Sequence, residues 1–522
     1  MTPFSAPVDD ILFSLNHVSG ADALPDWDAD LAGEILGHFA AFAEGVIAPI
    51  DESGDAQGCR LENGKVTMPD GFAAAYQDLA EGGWQGLSAP EAFGGMEQGH
   101  LIAAAISEVF SGANHAMSMV CNLVPGAIAT LMRFGTEAQK QNWIPRLAAG
   151  EALSTMALTE PGAGSDLSGI RSKAEQTDTG WTLSGEKIFI SGGDQDMSDD
   201  ILHLVLARTG SREEGVKGLS LFLTSKSQAA ETITITRIEE KLGLHASPTC
   251  QMAFQDTPAE LVGELGAGLA AMFTVMNHAR IDVSLQGVAH ASRAYAIAKT
   301  YADERVQGRK PNGAPAVLSD HADVQRMLTE QRSLALGARA MAHITLVELE
   351  KKDRPALVDF LTPLCKVFCT EAGIRSADLG IQILGGYGYL TEYRVAQTWR
   401  DARITSIYEG ANAIHELATA TRGLKTRGGA GPDGFDALIG ELTDNADILA
   451  LRDTWRNARA TMESATDPSA LAHDFTHLTC ELFFRAVWSR LASVSDQQDM
   501  AALFSYVANR PLPVSVTHFQ AA

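Results

Sequence analysis

The chain has 522 residues, 45% hydrophobic and 20% charged, with a formal net charge of −25. That length exceeds one ordinary core and predicts two to four domains or layers, and the composition is that of a globular enzyme, not a disordered chain. The acidic balance argues against nucleic acid or another polyanion as partner, because phosphate backbones are held by clustered Lys and Arg.

The cysteines, Cys59, Cys121, Cys250, Cys365, Cys369 and Cys480, contain no C-x-x-C pair. Cys365 and Cys369 lie one helical turn apart, which suits two buried thiols better than a metal site, and no metal is expected. A reducing, cytoplasmic setting follows. Met1 to Ala6 carry no basic region ahead of an apolar one, so no secretory signal is expected. The most apolar stretch, 101–134, is interrupted by Glu108, Asn114, His115, Asn122 and Pro125, which are costly in lipid. It reads as buried helices without membrane insertion.

Taken in order, residues 1–153 read as a helical domain, with Leu31, Ile35, Phe39, Phe42 and Val46 at three and four spacing. A loop is expected at 53–64. Its Gly58 to Lys65 run lacks the spacing and hydroxyl of a phosphate loop. Residues 154–265 change to short β runs at 155–158, 181–183, 187–191, 201–207, 219–223, 233–235 and 251–254, a pattern of a compact antiparallel barrel or sandwich. Helical periodicity returns after Gly268, and 266–425 reads as a helical bundle. The Gly-rich stretch 426–434 reads as a linker, and 435–522 as an amphipathic helical extension.

Two stretches carry candidate chemistry. In Ile407-Tyr408-Glu409-Gly410-Ala411-Asn412 a lone carboxylate lies between an aromatic residue and a small-residue turn in a mostly apolar setting. Burial there would raise its pKa and make it a proton acceptor near neutral pH. On these residues alone Glu409 reads more readily as a carboxylate favoured by the dipole of the helix ahead. In Met156-Ala157-Leu158-Thr159-Glu160-Pro161-Gly162-Ala163-Gly164-Ser165-Asp166 a strand leaves for a turn whose glycines let backbone N–H groups face a ligand. Leu167 stands where a dinucleotide fingerprint needs its third Gly.

Tyr408-Glu409-Gly410-x-Asn412-x-Ile414 resembles the catalytic-base segment of acyl-CoA dehydrogenases. Upstream, Gln382-Ile383-Leu384-Gly385-Gly386-Tyr387-Gly388-Tyr389 and Arg400-Asp401-Ala402-Arg403 resemble the same family, as does the Thr159 to Asp166 segment. The resemblance implies an α+β, mainly α fold: a helical N-terminal domain, a central β-barrel or sandwich, and a C-terminal four-helix bundle. It implies that Glu409 removes the α-proton of an acyl-CoA thioester while FAD takes the β-hydride. The Glu409 backbone N–H and a ribityl hydroxyl would bind the thioester carbonyl, and an electron-transfer flavoprotein would take the electrons.

Carried over by position, Met156, Leu158, Thr159, Gly164 and Ser165 would line the flavin, with Ser165 also at the substrate boundary. Phe189 and Ser191 stand where the family usually has Trp and Thr. Asn277, Arg280, Tyr408 and Gly410 would face the substrate. Ala279 occupies the place where long-chain and isovaleryl relatives carry their base, which leaves Glu409. Arg305 resembles the residue reaching the FAD pyrophosphate of a neighbouring subunit, although the following Phe is missing. Gln382, Gly385 and Gly386 resemble the segment receiving the adenylate half, so a homodimer or homotetramer is implied. Ala411, a cofactor contact by position, replaces a Thr, and Ala413 a Gln. Lys241 to Cys250, Phe189-Ile190-Ser191 and the extension past Gly434 resemble the branch acting on 3-methylthiopropanoyl-CoA, a product of dimethylsulfoniopropionate breakdown. That branch also holds short- and medium-chain enzymes. An oxidase using oxygen is the alternative within the fold; a binding relative without catalysis fits poorly with an intact Glu409.

Overall fold

The structure, a computed structural model, describes residues 3–178, 180–495, 498–514 and 519. The chain forms two compact units, one of Phe42–Gly99 and Ala113–Ala279, the other of Met1–Ala41, His100–Gly112 and Arg280–Ala522.

The N-terminal third contains helices α1 (Val8–Phe13), α2 (Ala29–Phe42), α3 (Asp51–Gln57), α4 (Phe72–Glu81), α5 (His100–Cys121), α6 (Val124–Phe134) and α7 (Glu137–Ala148). Helix α7 starts where its sequence says it should. Thr136 accepts from the Gln139 backbone N–H at 3.3 Å and the Gln139 side chain accepts from the Thr136 N–H at 3.0 Å, a reciprocal capping box. The expected loop at 53–64 is instead α3 followed by a hairpin, β1 (Arg60–Glu62) and β2 (Lys65–Thr67). Asn63 and Gly64 both take positive φ, +52° and +75°, the pairing that a two-residue hairpin turn requires.

The β part comprises β3 (Ala152–Ala157), β4 (Lys173–Thr177), β5 (Gly180–Ser191), β6 (Asp200–Arg208), β7 (Leu219–Ser225), β8 (Ile233–Ile238) and β9 (Thr249–Val262). Strands β4, β5, β9, β7 and β6 close a ring, with β3 added on β6 and β8 on β9. Contrary to the antiparallel expectation, β3 and β4 both pair with β6 in parallel. Parallel partners need a long crossover, and the chain between β3 and β6 supplies it by folding β4 and β5 into the ring. The runs 181–183 and 187–191 are one strand with two bulges. Its Gly185 lies where a Cβ would meet Ser172 Oγ at 2.4 Å. The core of the ring includes Leu183, Ile190, Val205, Phe222, Met252 and Phe254.

The C-terminal unit is built on α8 (Gly268–Glu304), α9 (Ala322–Lys351) and α10 (Pro355–Leu384), with hairpin β10 (Val306–Arg309) and β11 (Pro315–Val317) between α8 and α9. Then follow α11 (Arg394–Ala402), α12 (Asn412–Ala418), α13 (Ala430–Leu442), α14 (Ala446–Ser464), α15 (Ala472–Ser493) and α16 (Gln498–Asn509). The supposed linker at 426–434 is a tight turn that runs into α13. Its glycines serve close approach: a Cβ on Gly431 would meet the Ala356 carbonyl oxygen at 2.9 Å.

Helix α9 is buried on nearly every side from Met327 to Glu348, which an amphipathic surface helix is not. Helix α15 covers its remaining face: Trp488 Nε1 donates to the Ser333 carbonyl at 3.2 Å, and a Cβ on Gly337 would meet the Phe484 ring at 2.3 Å. The extension is therefore part of the core. Glu108 and Arg339, each almost fully buried, form a bidentate pair, with Nη2 to Oε1 at 2.7 Å and Nε to Oε1 at 3.0 Å. The interrupting Glu of the apolar stretch is thus neutralised inside protein. Cys365 and Cys369 are buried thiols donating to the Met341 and Ala338 carbonyls.

Candidate active site

Glu409 sits in a turn between a 3₁₀ segment, Arg403–Ser406, and α12. It adopts φ +52° and Gly410 φ +94°. A left-handed Glu costs about 1 kcal/mol or more, and such strain persists only where neighbours enforce it. Three side chains do so. Lys366, from α10, donates through Nζ to the Gly410 carbonyl at 2.8 Å and to Asn412 Oδ1 at 2.9 Å. His415 lies 3.1 Å from the Glu409 carbonyl. Because a carbonyl can only accept, Nε2 carries the proton, and burial lowers the His415 pKa to about 4, so the ring is neutral. Asn412 Nδ2 donates in turn to Thr370 and Glu371.

The Glu409 carboxylate is set apart from this bracing. Its Oε2 is buried and has no hydrogen-bond partner among the described residues. Burial pushes its pKa up to about 7, against the pull of Arg280 and Lys366 and with a smaller push from Asp282. Burial likewise lowers the Lys366 pKa to about 8. The neighbouring Tyr408 hydroxyl donates to Gln286, whose amide donates to Asp282 at 2.7 Å. A carboxylate with an unused oxygen and a pKa near neutrality is suited to accepting a proton from carbon. Only the ionised form can do so. Any rate limited by that proton transfer is therefore expected to fall about tenfold per pH unit below about 7 and to level above it, as measured in a pH–rate profile.

The structure brings Arg280, Tyr408, Gly410 and Ala411 together with Glu409. Arg280 lies inside α8, which begins at Gly268. Asn277 falls in α8 as well, with its side chain outside the described residues. Ala411 is the N-cap of α12 and offers no side-chain cap. A second group, Arg305, Gln382, Gly385 and Gly386, lies at the surface. The Arg305 guanidinium lies 5.4 Å from the Tyr387 ring centroid, and a Cβ on Gly385 or Gly386 would meet nothing within 4 Å.

In the other unit, Met156 lies near the end of β3, and Leu158, Thr159, Gly164 and Ser165 follow it in a loop held by a buried ion pair. Lys187 Nζ donates to Glu160 at 2.9 Å and to the Leu158 and Leu206 carbonyls at 3.0 and 2.7 Å. Glu160 accepts besides from the backbone N–H groups of Arg171 and Ser172. A Cβ on Gly162 would meet nothing within 4 Å and one on Gly164 only Thr159 Cγ2 at 3.9 Å, so the loop has an open face. Phe189 is at the β5 bulge with φ +60° and is 60% exposed, its ring turned out of the barrel core; Ser191 lies two residues on.

Sequence reading missed Lys366, His415 and Lys187 as positioning residues. A signal existed for two of them. A lysine inside the apolar run Leu364-Cys365-Lys366-Val367-Phe368, and another at a core-facing strand position, are each out of pattern unless paired.

The chain thus joins a helical region, a β barrel and a helical bundle, with a carboxylate suited to accepting a proton in the bundle. Successive stretches match the N-terminal (33–151), middle (155–257) and C-terminal (266–424) domains of acyl-CoA dehydrogenase, and the chain belongs to that family of oxidoreductases. It is 40% identical over 463 residues, 84% of this chain and 79% of the relative, to 3-methylmercaptopropionyl-CoA dehydrogenase of Ruegeria pomeroyi. A broad-specificity linear acyl-CoA dehydrogenase of Mycobacterium tuberculosis is 34% identical over 79% of this chain and 74% of its own. The solved butyryl-CoA dehydrogenase of Megasphaera elsdenii superposes with a TM-score of 0.68 at 26% identity, covering 77% of this chain and all of that one.

Proposed function

We propose that this chain α,β-dehydrogenates a short acyl-CoA, with 3-methylthiopropanoyl-CoA as the first candidate, using FAD and passing electrons to an electron-transfer flavoprotein in the cytoplasm. The observation that carries the reading is the Glu409 carboxylate, whose Oε2 has no hydrogen-bond partner among the described residues and whose pKa is near 7. The substrate preference is supported by the 40% identity to the Ruegeria enzyme.

FAD, when bound, supplies the two-electron acceptor for the β-hydrogen. The chain's residues fit such a group: the open glycine face at 162 and 164, with Met156, Leu158, Thr159, Ser165, Phe189 and Ser191, would hold the flavin ring. Arg305, Gln382, Gly385 and Gly386 would hold the dinucleotide of a second copy, which makes the enzyme an obligate homo-oligomer. Glu409 takes the α-proton on its free Oε2. Its own N–H donates to the thioester carbonyl, where negative charge develops, and is fixed in aim by the left-handed turn. Arg280, with Tyr408 and Gly410, orients the thioester. Ala411 leaves α12 without the polar group that the family pattern places there.

Mixing purified protein anaerobically with butanoyl-, octanoyl- and 3-methylthiopropanoyl-CoA and following flavin bleaching tests this. The expected result is fastest bleaching by 3-methylthiopropanoyl-CoA; a protein whose bound flavin none of them bleaches would refute the reading. Arg305→Ala is expected to weaken FAD retention about 10- to 100-fold, the loss of one charge-assisted phosphate contact, read from the flavin-to-protein absorbance ratio after dialysis.

A further inference from the structure

A group of metal-type ligands lies outside everything the proposed reaction uses. Glu416 follows the catalytic turn on α12, and His473 and His477 lie on α15 of the C-terminal extension. Glu416 Oε1 is 3.2 Å from His473 Nδ1 and 3.4 Å from His477 Nε2, and the ligand atoms of the three all lie within 4.8 Å of one another. Glu371 of α10 adds a carboxylate oxygen 3.8 Å from His477 Nε2.

We propose that Glu416, His473 and His477 bind a divalent transition-metal ion of the zinc type, with Glu371 or a water as fourth ligand, clipping the extension to the helix that carries the catalytic turn. Ligands about 2.0–2.1 Å from a tetrahedral zinc are about 3.3 Å apart, and two of the separations above match that edge. Two imidazoles and a carboxylate suit zinc and its first-row neighbours; magnesium or calcium prefers oxygen ligands. The two histidines are four apart on one helix, so a single face presents both. Glu416 is buried, whereas His473 is exposed and leaves an approach for the ion. Supporting contacts are in place: the Thr476 hydroxyl donates to the Glu416 carbonyl at 3.3 Å, and Glu371 accepts from Asn412 Nδ2 at 3.2 Å. Through Asn412 the ligand set joins Lys366 and the Gly410 carbonyl, so the clip would bear on the turn that holds Glu409.

The test is titration calorimetry of the purified, chelator-treated full chain with zinc chloride at neutral pH, beside His473→Gln and the His473→Gln/His477→Gln double variant. One equivalent per chain is expected, weakened at least about 10-fold in the single variant and abolished in the double. Zinc should raise the melting temperature of the parent chain and leave that of the double variant unmoved. His473 is a surface residue, so its substitution leaves the fold intact, and circular dichroism without metal verifies this for both variants. Failure of the parent to bind zinc, cobalt or nickel, or equal binding by the double variant, overturns the proposal and leaves the cluster an ion pair only. Neither outcome depends on acyl-CoA turnover.

Discussion

Glu409→Gln is expected to bind FAD and acyl-CoA normally yet to lose flavin bleaching by at least about 10²- to 10⁴-fold, the range for removing a positioned general base. The substitution keeps size and hydrogen-bonding capacity and removes only the proton acceptor, so retained flavin with lost bleaching isolates the base. A stability signature should accompany it. Burial raises the Glu409 pKa from 4.5 to about 7, so the folded state prefers the protonated form. That preference is fully present below the unfolded-state pKa and disappears as pH rises through about 7, where the charge must be held in the interior. The neutral Gln carries no such cost. The variant is therefore expected to be more stable than the parent at pH 8 by up to about 3 kcal/mol and to show no difference near pH 4. Denaturant melts at the two pH values measure this; bleaching that survives in the variant would assign the base elsewhere.

Lys187→Met is expected to destabilise the barrel unit by about 3–5 kcal/mol, the typical loss when one partner of a buried ion pair is removed. Lys187 is fully buried and Glu160 5% exposed, so the carboxylate left behind has no water to turn to. Two carbonyls, of Leu158 and Leu206, lose their donor at the same time. The Lys187→Met/Glu160→Gln pair should recover part of the loss, because the buried charge is gone and the introduced amide oxygen can still accept from one of the Arg171 and Ser172 N–H groups, which in the parent bind different carboxylate oxygens. Since the same ammonium ties the end of β3 to the open-faced glycine loop, the single variant is expected to lose bound flavin as well. Denaturant midpoints and flavin content check the two effects separately; equal loss in single and double variants would show that the stranded Glu160 charge is not what costs the stability.

Much of the site was legible because it is local. Glu409, Gly410 and Asn412 are adjacent or nearly so, as are the members of the Thr159 to Asp166 loop, and adjacency is what a sequence displays. Phe189 was named from the sequence through the resemblance alone, and its outward aim comes from a bulge that depends on the pairing of β5 with β9. Strand β4 escaped notice because its exposed residues Lys173, Glu175 and Gln176 carry little apolar signal. The glycines at 428–434 read as linker because glycine means flexibility in isolation. Against a neighbouring helix it means room for close approach, as Gly431 finds beside Ala356.

The sequence alone determined the kind of each long element, the order of helical, β and helical regions, and which carboxylate could serve as a base. The elements and their order follow from periodicities of 3.6 and 2 and from turn residues, all of which act over a few positions, whereas the choice of Glu409 as base is what the resemblance to acyl-CoA dehydrogenases implies. The tertiary structure decided what depends on partners far along the chain. It joined β3 and β4 to β6 in parallel, folded the C-terminal extension into the core beside α9, and buried Glu409 enough to bring its pKa near 7. It also placed His473 and His477 beside Glu416, across a gap of more than fifty residues that no local pattern spans. Burial and charge proximity are properties of packing, and packing exists only once the chain has closed on itself.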